Sequence, residues 1–176
     1  MKKNTNPRVL LVIDMQNDFI NGALGTKEAE AIVSNVNEKI ATYRSSGDVV
    51  VFTRDTHYDN YLETAEGKKL PVPHCIEGTD GWQITSKITV LENETVFNKT
   101  SFGCIELADY MKWVKPSSIE FVGLCTDICV ISNAMIMKAR FPEMPISVDS
   151  ACCAGVTPES HENALKAMAM CQIDVL

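Results

Sequence analysis

Short apolar runs alternate with longer stretches of helical spacing along the whole chain. The runs are rich in Val and Ile and are bounded by polar or turn-forming residues, which is typical of buried strands. Strands that alternate with helices in this way form parallel sheets with both faces covered. The alternation therefore predicts an α/β fold built from a single domain.

The predicted elements are ordered as strand and helix pairs. The predicted strands cover residues 9–13, 49–53, 95–97, 119–124, 146–148 and 173–176, and the predicted helices cover residues 27–44, 105–113, 126–137 and 158–170. A loop at 58–81, rich in Gly, Pro and charge, separates the second strand from the third. Loops of this length are uncommon in compact domains and are often functional.

Length and charge narrow the class of protein further. A chain of 176 residues suits one domain, and a net charge of −7 argues against a nucleic-acid or anionic-membrane partner. The first apolar run ends at Asp14, too early for a membrane-spanning helix, and no cleavage site follows it. Seven cysteines without an export signal indicate reduced thiols. We therefore expect a cytoplasmic location.

The stretch from Ser117 to Met137 carries a candidate nucleophile. It is predicted as a strand, a sharp turn and a helix, with Thr126 or Asp127 as the helix N-cap. Cys129 then lies in the first helical turn, where free N–H groups and the helix dipole stabilise a thiolate and backbone donors can hold an oxyanion. Taken alone, a cysteine in this position is more often a core residue.

Two further polar residues follow predicted strands. Asp14 and Lys99 stand at or just beyond strand ends, as Cys129 does after the central strand. Sites in parallel sheets form where the carboxyl ends of the strands meet. An acid, a base and a thiol at this edge indicate an activated nucleophile. Taken singly, Asp14 is more often a helix cap or turn residue, and Lys99 is more often a solvated surface charge.

A second group of polar residues surrounds the long loop. Asp55 and His57, two residues apart at a strand end, point to the same side, and Glu66 and His74 follow in the loop. Carboxylate and imidazole ligands suit Zn²⁺, Mn²⁺ or Fe²⁺. The alternative is a hydrogen-bonded Asp–His pair in a pocket without metal. His161, in the last predicted helix, is expected to be a surface or capping residue.

Three ordered motifs carry a family resemblance: VIDMQNDF around Asp14, the later Lys99, and GLCTDICV around Cys129. Together they resemble the isochorismatase-like cysteine hydrolases, a family that includes the nicotinamidases. The resemblance covers essentially residues 1–176, with residues 1–7 expected as a flexible arm. It implies a Rossmann-like three-layer sandwich, in which helices cover both faces of a six-stranded parallel sheet. Family members often assemble, so a homo-oligomer is expected.

The resemblance also implies a catalytic triad of Cys129, Asp14 and Lys99. Backbone N–H groups of Cys125 and Cys129 would form the oxyanion hole, and a cis peptide bond would precede Cys125. In the implied reaction Asp14 takes the thiol proton, Cys129 attacks a carbonyl carbon, and water resolves a thioester. The Lys99 charge would stabilise the charged forms of Asp14 and Cys129 by Coulomb attraction.

Nicotinamidases bind a metal through an Asp-x-His pair, a ligand in the long loop and a His before a Cys. Asp55, His57 and His74 match three of these positions. The remaining ligand is His in many members and Glu in some, and because residues 58–73 contain no His, Glu66 is the candidate and Glu63 the second choice. The expected cofactor is one divalent metal, zinc first and manganese or iron as alternatives, with no organic cofactor.

The expected reaction is hydrolysis of a small amide, with nicotinamide giving nicotinate and ammonia. Phe19 and Trp82 are ring-stacking candidates, although each reads equally well as a core residue. Segment 99–103 lacks the aromatic residue that commonly follows the lysine closely in nicotinamidases, and Leu70–Pro71 stands where those enzymes often have a pocket aromatic. Two alternatives therefore stay open: a hydrolase of another amide or ureido substrate that uses no metal, and a non-catalytic metal-binding or thiol-redox protein.

Overall fold

A computed structural model of the chain describes residues 6–176. The predicted arm at residues 1–7 therefore lies mostly outside the described residues. At the end of the predicted arm, the Pro7 carbonyl accepts a hydrogen bond of 2.9 Å from the Ser117 N–H. The extent of the arm and of the domain stays a prediction.

Six strands form one parallel sheet. They are β1 (Arg8–Ile13), β2 (Val49–Asp55), β3 (Thr95–Lys99), β4 (Ser118–Leu124), β5 (Ile146–Ala154) and β6 (Asp174–Val175). Their order across the sheet is β3-β2-β1-β4-β5-β6, and every pair is parallel. This order reverses direction beside β1, so ligand sites are expected at the carboxyl ends of β1 and β4. The predicted Rossmann-like sheet is confirmed.

Five helices cover the two faces of the sheet. They are α1 (Asn17–Ile20), α2 (Lys27–Ser45), α3 (Ile105–Val114), α4 (Ile131–Arg140) and α5 (Pro158–Met170). Within β1, Val9 and Leu11 pack into a core shared with α3, α4 and α5, whereas Leu10 and Val12 pack into a core shared with α2. Because successive strand residues face opposite sides, both faces of β1 are buried and the fold has three layers. None of the helices among residues 6–176 is long and apolar enough to cross a bilayer.

Helix α2 shows how local sequence sets an element boundary. The hydroxyl of Thr26 accepts a hydrogen bond of 3.0 Å from the Ala29 N–H, which satisfies one of the free donors at the helix start. Gly47 follows the helix with a φ of 73°, a conformation that favours glycine. The predicted helix at 27–44 therefore differs from the observed one by a single residue.

Other elements depart further from the sequence prediction. Helix α1 was not predicted, because four residues are too few to show a helical period. Strand β5 extends six residues beyond the predicted end, because Asp149 and Ser150 interrupt its apolar run, but its pairing with β4 resumes at Cys153 after a shift in register. Strand β6 is shorter than predicted and pairs with β5 at only two positions.

Candidate active site

The carboxyl ends of β1, β2 and β3 bring three charged residues together. Asp55 and Lys99 are direct partners in the pairing of β2 with β3. Asp14 follows β1 with a φ of 47°, an uncommon conformation for a residue other than glycine. The Thr53 hydroxyl donates a hydrogen bond of 2.7 Å to Oδ1 of Asp14 and accepts one of 3.2 Å from the Asp14 N–H. Thr53, which the sequence analysis missed, thus holds both the backbone N–H and the carboxylate of Asp14.

Lys99 is the centre of the site. Its Nζ lies 2.7 Å from Oδ2 of Asp14, 3.3 Å from Sγ of Cys129 and 3.2 Å from Oδ1 of Asp55. It also donates a hydrogen bond of 3.1 Å to the Ser101 carbonyl. The structure therefore brings together Asp14, Lys99 and Cys129, the three residues of the predicted triad.

The charges of the site follow from burial and pairing. Burial by itself would lower the pKa of Lys99, but Asp14, Cys129 and Asp55 together hold that pKa well above its ordinary value. Burial raises the pKa of Asp14, while the Lys99 charge opposes the rise. Lys99 is therefore a permanent cation beside a carboxylate that is more basic than usual.

The burial of Cys129 favours the neutral thiol, whereas the sequence predicts that the helix start stabilises the thiolate. Only 4% of the residue is exposed, and burial raises its pKa well above the ordinary value although Lys99 acts in the opposite direction. Desolvation thus outweighs the stabilisation of a thiolate that the sequence predicts. A nucleophilic role for Cys129 would therefore require a neighbouring base, and the Asp14 carboxylate lies in the same buried cluster.

The turn before Cys129 needs a close approach of two strands. Gly123 has a φ of 116°, and a Cβ added there would lie 2.1 Å from the Ile13 carbonyl oxygen. The peptide bond between Leu124 and Cys125 is cis, as the family resemblance implies. The chain passes directly from β4 into the turn that holds Cys129.

Residues Thr126–Val130 form a single π-helical turn before α4. The Cys125 carbonyl accepts hydrogen bonds of 3.1 Å from the Ile128 N–H and 3.0 Å from the Val130 N–H. In an ordinary α-helical turn it would accept from Cys129, and in the observed turn it does not. Widened turns of this type are frequent at functional sites.

The predicted N-caps of this helix are wrong. Cys125 occupies the N-cap position, and its side chain makes no capping hydrogen bond. Thr126 and Asp127 instead bond to the segment at the start of α5. The Thr126 hydroxyl lies 2.8 Å from Nδ1 of His161, and Oδ1 of Asp127 accepts a hydrogen bond of 3.1 Å from the Val156 N–H. His161 is accordingly half-buried against the nucleophile turn, and the prediction of a surface or capping role is wrong.

Asn133 is a second residue that the sequence analysis missed. It is completely buried in α4, and its amide donates to the carbonyl oxygens of Cys129 and Phe102 at 2.8 and 3.0 Å. Its Oδ1 accepts a hydrogen bond of 2.9 Å from the Cys104 N–H. Asn133 thereby connects the loop after Lys99 to α4 and to the turn that contains Cys129.

Four residues form a candidate metal centre beside the triad. The ligand atoms of Asp55, His57, Glu66 and His74 all lie within 4.8 Å of one another. Nε2 of His57 is 3.0 Å from Oδ2 of Asp55, and Oε1 of Glu66 lies 3.7 Å from Nε2 of both histidines. Glu63, the second choice, is exposed in a one-turn helix and is not part of the cluster.

The spacing and orientation of these side chains fit a tetrahedral metal. Zinc bonds of about 2.0–2.2 Å at tetrahedral angles place ligand atoms about 3.3–3.6 Å apart, within the range that the cluster spans. Nδ1 of His74 is hydrogen-bonded at 2.8 Å to the Val72 carbonyl, which leaves Nε2 with its lone pair directed into the cluster. Gln16 holds Asp55 by accepting a 2.7 Å bond from its N–H and donating a 2.8 Å bond to its carbonyl.

Asp55 belongs to both parts of the site. Burial disfavours its charged form, but the proximity of His57, His74 and Lys99 holds its pKa below the ordinary value. One carboxylate oxygen faces Lys99 and the other faces His57. The candidate metal centre and the triad therefore share a side chain.

The two aromatic candidates occupy different positions. The Phe19 ring lies 5.5 Å from the His74 ring and is nearly buried beside the candidate metal centre. Trp82 donates its indole N–H to the Thr56 hydroxyl at 2.9 Å, and the Arg54 guanidinium covers one ring face at 3.7 Å. Phe19 thus borders the site, whereas Trp82 has only one ring face left for a ligand.

Comparison with known proteins gives a consistent family match. Residues 8–176 match the isochorismatase domain. The nicotinamidase of Escherichia coli (strain K12) is 25% identical over 195 aligned positions, covering 93% of this chain and 91% of that protein.

Two solved structures show the same fold along nearly the whole chain. The pyrazinamidase of Pyrococcus horikoshii, solved in complex with zinc, has a TM-score of 0.84 and 25% identity, covering 96% of this chain and 98% of that one. The N-carbamoylsarcosine amidase of Thermoplasma acidophilum has a TM-score of 0.80 and 25% identity, with coverage of 96% and 95%.

Proposed function

The chain belongs to the isochorismatase family, and we propose that it hydrolyses a small primary amide through Cys129, with nicotinamide as the first candidate substrate. The observation that carries the proposal is the position of Lys99 Nζ, 2.7 Å from Asp14 Oδ2 and 3.3 Å from Cys129 Sγ. A thiol, a basic carboxylate and a fixed cation in one buried cluster are the parts that acyl transfer requires.

The proposed reaction begins with proton transfer from Cys129 to Asp14. The sulfur then forms a bond to the amide carbon, and the oxygen takes up the displaced electron pair as an oxyanion. Backbone N–H groups of Cys125 and Cys129 donate to that oxygen. The proton on Asp14 passes to the leaving nitrogen, which departs as ammonia and leaves a thioester.

Water completes the cycle. Asp14, again a carboxylate, accepts a proton from the water that attacks the thioester carbon, and Cys129 leaves with the proton restored. Lys99 keeps its charge throughout, so the negative charge can move between Asp14 and the sulfur while the counter-ion stays in place. This arrangement avoids separating unpaired charges in a buried site.

We further propose that Asp55, His57, Glu66 and His74 hold one divalent metal, with zinc first and manganese or iron as alternatives. Two carboxylates and two imidazoles suit any of these ions, and the Pyrococcus horikoshii relative was solved with zinc. When bound, the ion would act as a Lewis acid and would have to accept a fifth ligand beside these four to take up a lone pair of the substrate, such as that of a pyridine nitrogen. Phe19, beside His74, is then placed to contact an aromatic ring.

A second candidate substrate class is supported by a specific comparison. The Thermoplasma acidophilum relative is an N-carbamoylsarcosine amidase, and its name indicates a ureido group. Trp82 has one ring face covered by Arg54, which weakens the case for stacking on a pyridine ring. The cysteines among residues 6–176 are all free, so no disulfide pair supports the redox alternative.

A coupled ammonia assay tests the proposed function. Nicotinamide, pyrazinamide, simple ureas and aliphatic amides are compared with wild-type protein and with Cys129→Ser as the control. Ammonia from nicotinamide in the wild type alone supports the proposal, and ammonia from ureas alone selects the second class. If no substrate releases ammonia, the amidase proposal fails.

Cytoplasmic location, a homo-oligomer and the lack of nucleic-acid or membrane partners stay predictions.

A further inference from the structure

His161 contacts the π-helical turn Thr126–Val130, which holds Cys129, but it has no part in the proposed reaction. It lies in the first turn of α5, and its Nδ1 is 2.8 Å from the Thr126 hydroxyl. Thr126 is completely buried and directly follows Cys125, whose N–H is a proposed oxyanion donor. The contact therefore joins α5 to the peptide unit next to that donor.

A second hydrogen bond connects the same two segments. The Val156 N–H donates to Oδ1 of Asp127 at 3.1 Å, so two consecutive residues of the turn are bonded to the start of α5. The connection between β5 and α5 is itself closely packed. A Cβ at Gly155 would lie 2.9 Å from the backbone nitrogen of His161. The two segments therefore have little room to shift against each other.

The start of α5 is rigid in its own right. The Thr157 hydroxyl accepts a hydrogen bond of 3.1 Å from the Ser160 N–H, and Oγ of Ser160 accepts one of 3.0 Å from the Thr157 N–H. Pro158 occupies the first helical position, where its fixed φ suits the helix. This reciprocal capping box satisfies two free donors and holds the His161 backbone in place.

We propose that His161 is a positioning residue for the oxyanion hole. Its hydrogen bond to Thr126 holds the peptide between Cys125 and Thr126, and with it the direction of the Cys125 N–H. The inference rests on the proposed function, because an acyl transfer is the reaction that needs this donor. His161 acts through Thr126 and supplies no proton or charge to the substrate.

The expected effect is on turnover and not on substrate binding. Removing an oxyanion donor costs about 100- to 1,000-fold in kcat, so a donor that is retained but misdirected is expected to cost about tenfold. His161→Ala and Thr126→Val each remove the same hydrogen bond. Both should lower kcat about tenfold with KM unchanged, and the double variant should be no slower than either single one, because one shared interaction is lost.

Two further variants separate the hydrogen bond from the bulk of the side chain. His161→Asn places a polar atom near the former Nδ1 and should restore most of kcat. Glu162→Ala, at the exposed neighbour of His161, is the matched control and should equal the wild type. If His161→Ala fails to fold, Thr126→Val and His161→Asn carry the test. Multiplied losses in the double variant would overturn the proposal.

Two reactions of Cys129 give readouts that need no amide turnover. In alkylation by iodoacetamide, the sulfur forms a bond to carbon, the carbon–iodine bond breaks to release iodide, and the thiol proton passes to Asp14 or water. No oxyanion forms, so the rate should be the same in His161→Ala and the wild type. Propionaldehyde adds the thiol across its carbonyl group, the oxygen taking the proton, and the product oxygen occupies the oxyanion hole. Protection of Cys129 by propionaldehyde should weaken about tenfold in His161→Ala.

The pattern of results distinguishes the possible failures. Equal losses in alkylation and aldehyde protection would show a general disturbance of the turn, and unchanged aldehyde protection would show that His161 does not affect the donor. Either result overturns the inference. Absence of amide turnover in the wild type would instead remove the proposed function, and the two reactions of Cys129 would still test His161.

Discussion

Asp55 and Lys99 face each other from paired positions of β2 and β3, and Oδ1 of Asp55 lies 3.2 Å from Nζ of Lys99. The other carboxylate oxygen of Asp55 is 3.0 Å from Nε2 of His57. The candidate metal centre and the triad are therefore electrostatically connected through one side chain. Changes at Asp55 should affect both sites, whereas changes at the outer ligands should affect one.

Replacing Asp55 by Asn tests this connection. We expect loss of bound metal together with about a tenfold lower kcat, since Lys99 loses a charged partner that helps to position it. His57→Ala should lose the metal and raise KM while kcat changes little. Metal analysis of the purified variants, together with steady-state kinetics, checks both. Equal kinetic profiles for the two variants would contradict a dual role of Asp55.

Glu66 and Glu63 offer a matched pair for the metal centre. Purified wild-type protein should contain about one divalent ion per chain, as expected for four ligands in tetrahedral geometry. Glu66→Ala should lower the metal content and the affinity, because it removes one ligand, whereas Glu63→Ala should leave both unchanged. Retention of full metal content in Glu66→Ala would exclude Glu66 as a ligand.

Cys129 and Cys125 are predicted to differ sharply in their roles. Cys129→Ser should lower kcat by at least about a thousandfold, because the nucleophile is lost. Cys125→Ser should retain most activity, because residue 125 contributes its backbone N–H and not its side chain. The ammonia assay measures both variants, and circular dichroism confirms that each remains folded. Comparable losses in the two would count against this assignment of the nucleophile.

Gly123 and Gly47 form a pair for a stability prediction. Both have a positive φ, but a Cβ at Gly123 would meet the Ile13 carbonyl at 2.1 Å, while a Cβ at Gly47 would meet nothing within 4 Å. Gly47→Ala should cost about 1 kcal/mol of unfolding free energy from backbone strain alone. Gly123→Ala should cost more than about 4 kcal/mol because the strands must separate. Urea unfolding of the two variants gives the comparison.

Buried thiols predict how stability changes at alkaline pH. Burial raises the pKa of Cys104 to about 11 and that of Cys152 to about 12. Between the ordinary thiol pKa and these values the folded state binds more protons than the unfolded state, so stability falls as the pH rises. The contribution of these two thiols to stability is fully present below the ordinary thiol pKa, and it is lost as the pH rises through their raised pKa values.

Urea midpoints at pH 8 and pH 10 measure this dependence. Cys104→Ala should reduce the fall in stability between the two values. Cys171→Ser, at an exposed position, should leave the fall unchanged. A fall of the same size in Cys104→Ala and the wild type would show that the Cys104 thiol does not contribute.

The sequence predicted features that depend on local pattern or on motif order. The helix at Lys27–Ser45 has a clear apolar period and a capping Thr26, so its limits were nearly correct. Asp14 and Lys99 were recognisable because parallel strands bring their ends to one edge of the sheet. Glu66 was predictable as the candidate loop ligand because residues 58–73 contain no His, and its carboxylate lies in the cluster with Asp55, His57 and His74.

Other features depended on contacts between distant segments. Thr126 and Asp127 have the side chains of N-caps, but their partners lie about 30 residues further along the chain, in the segment before and within α5. The π-helical turn has no sequence period that would separate it from an α-helix. The raised pKa of Cys129 results from the packing of the whole site, which a helix-dipole argument alone does not include.

The burial of Cys129 has a consequence for resistance to oxidants. Peroxide attacks thiolates and converts them to sulfenic acid, from which further oxidation to sulfinic acid is irreversible. A cysteine that is 4% exposed and whose pKa is raised by burial offers less thiolate to peroxide than an exposed cysteine does. Burial therefore slows the oxidation of the Cys129 sulfur, and the same burial makes that sulfur depend on Asp14 for removal of its proton.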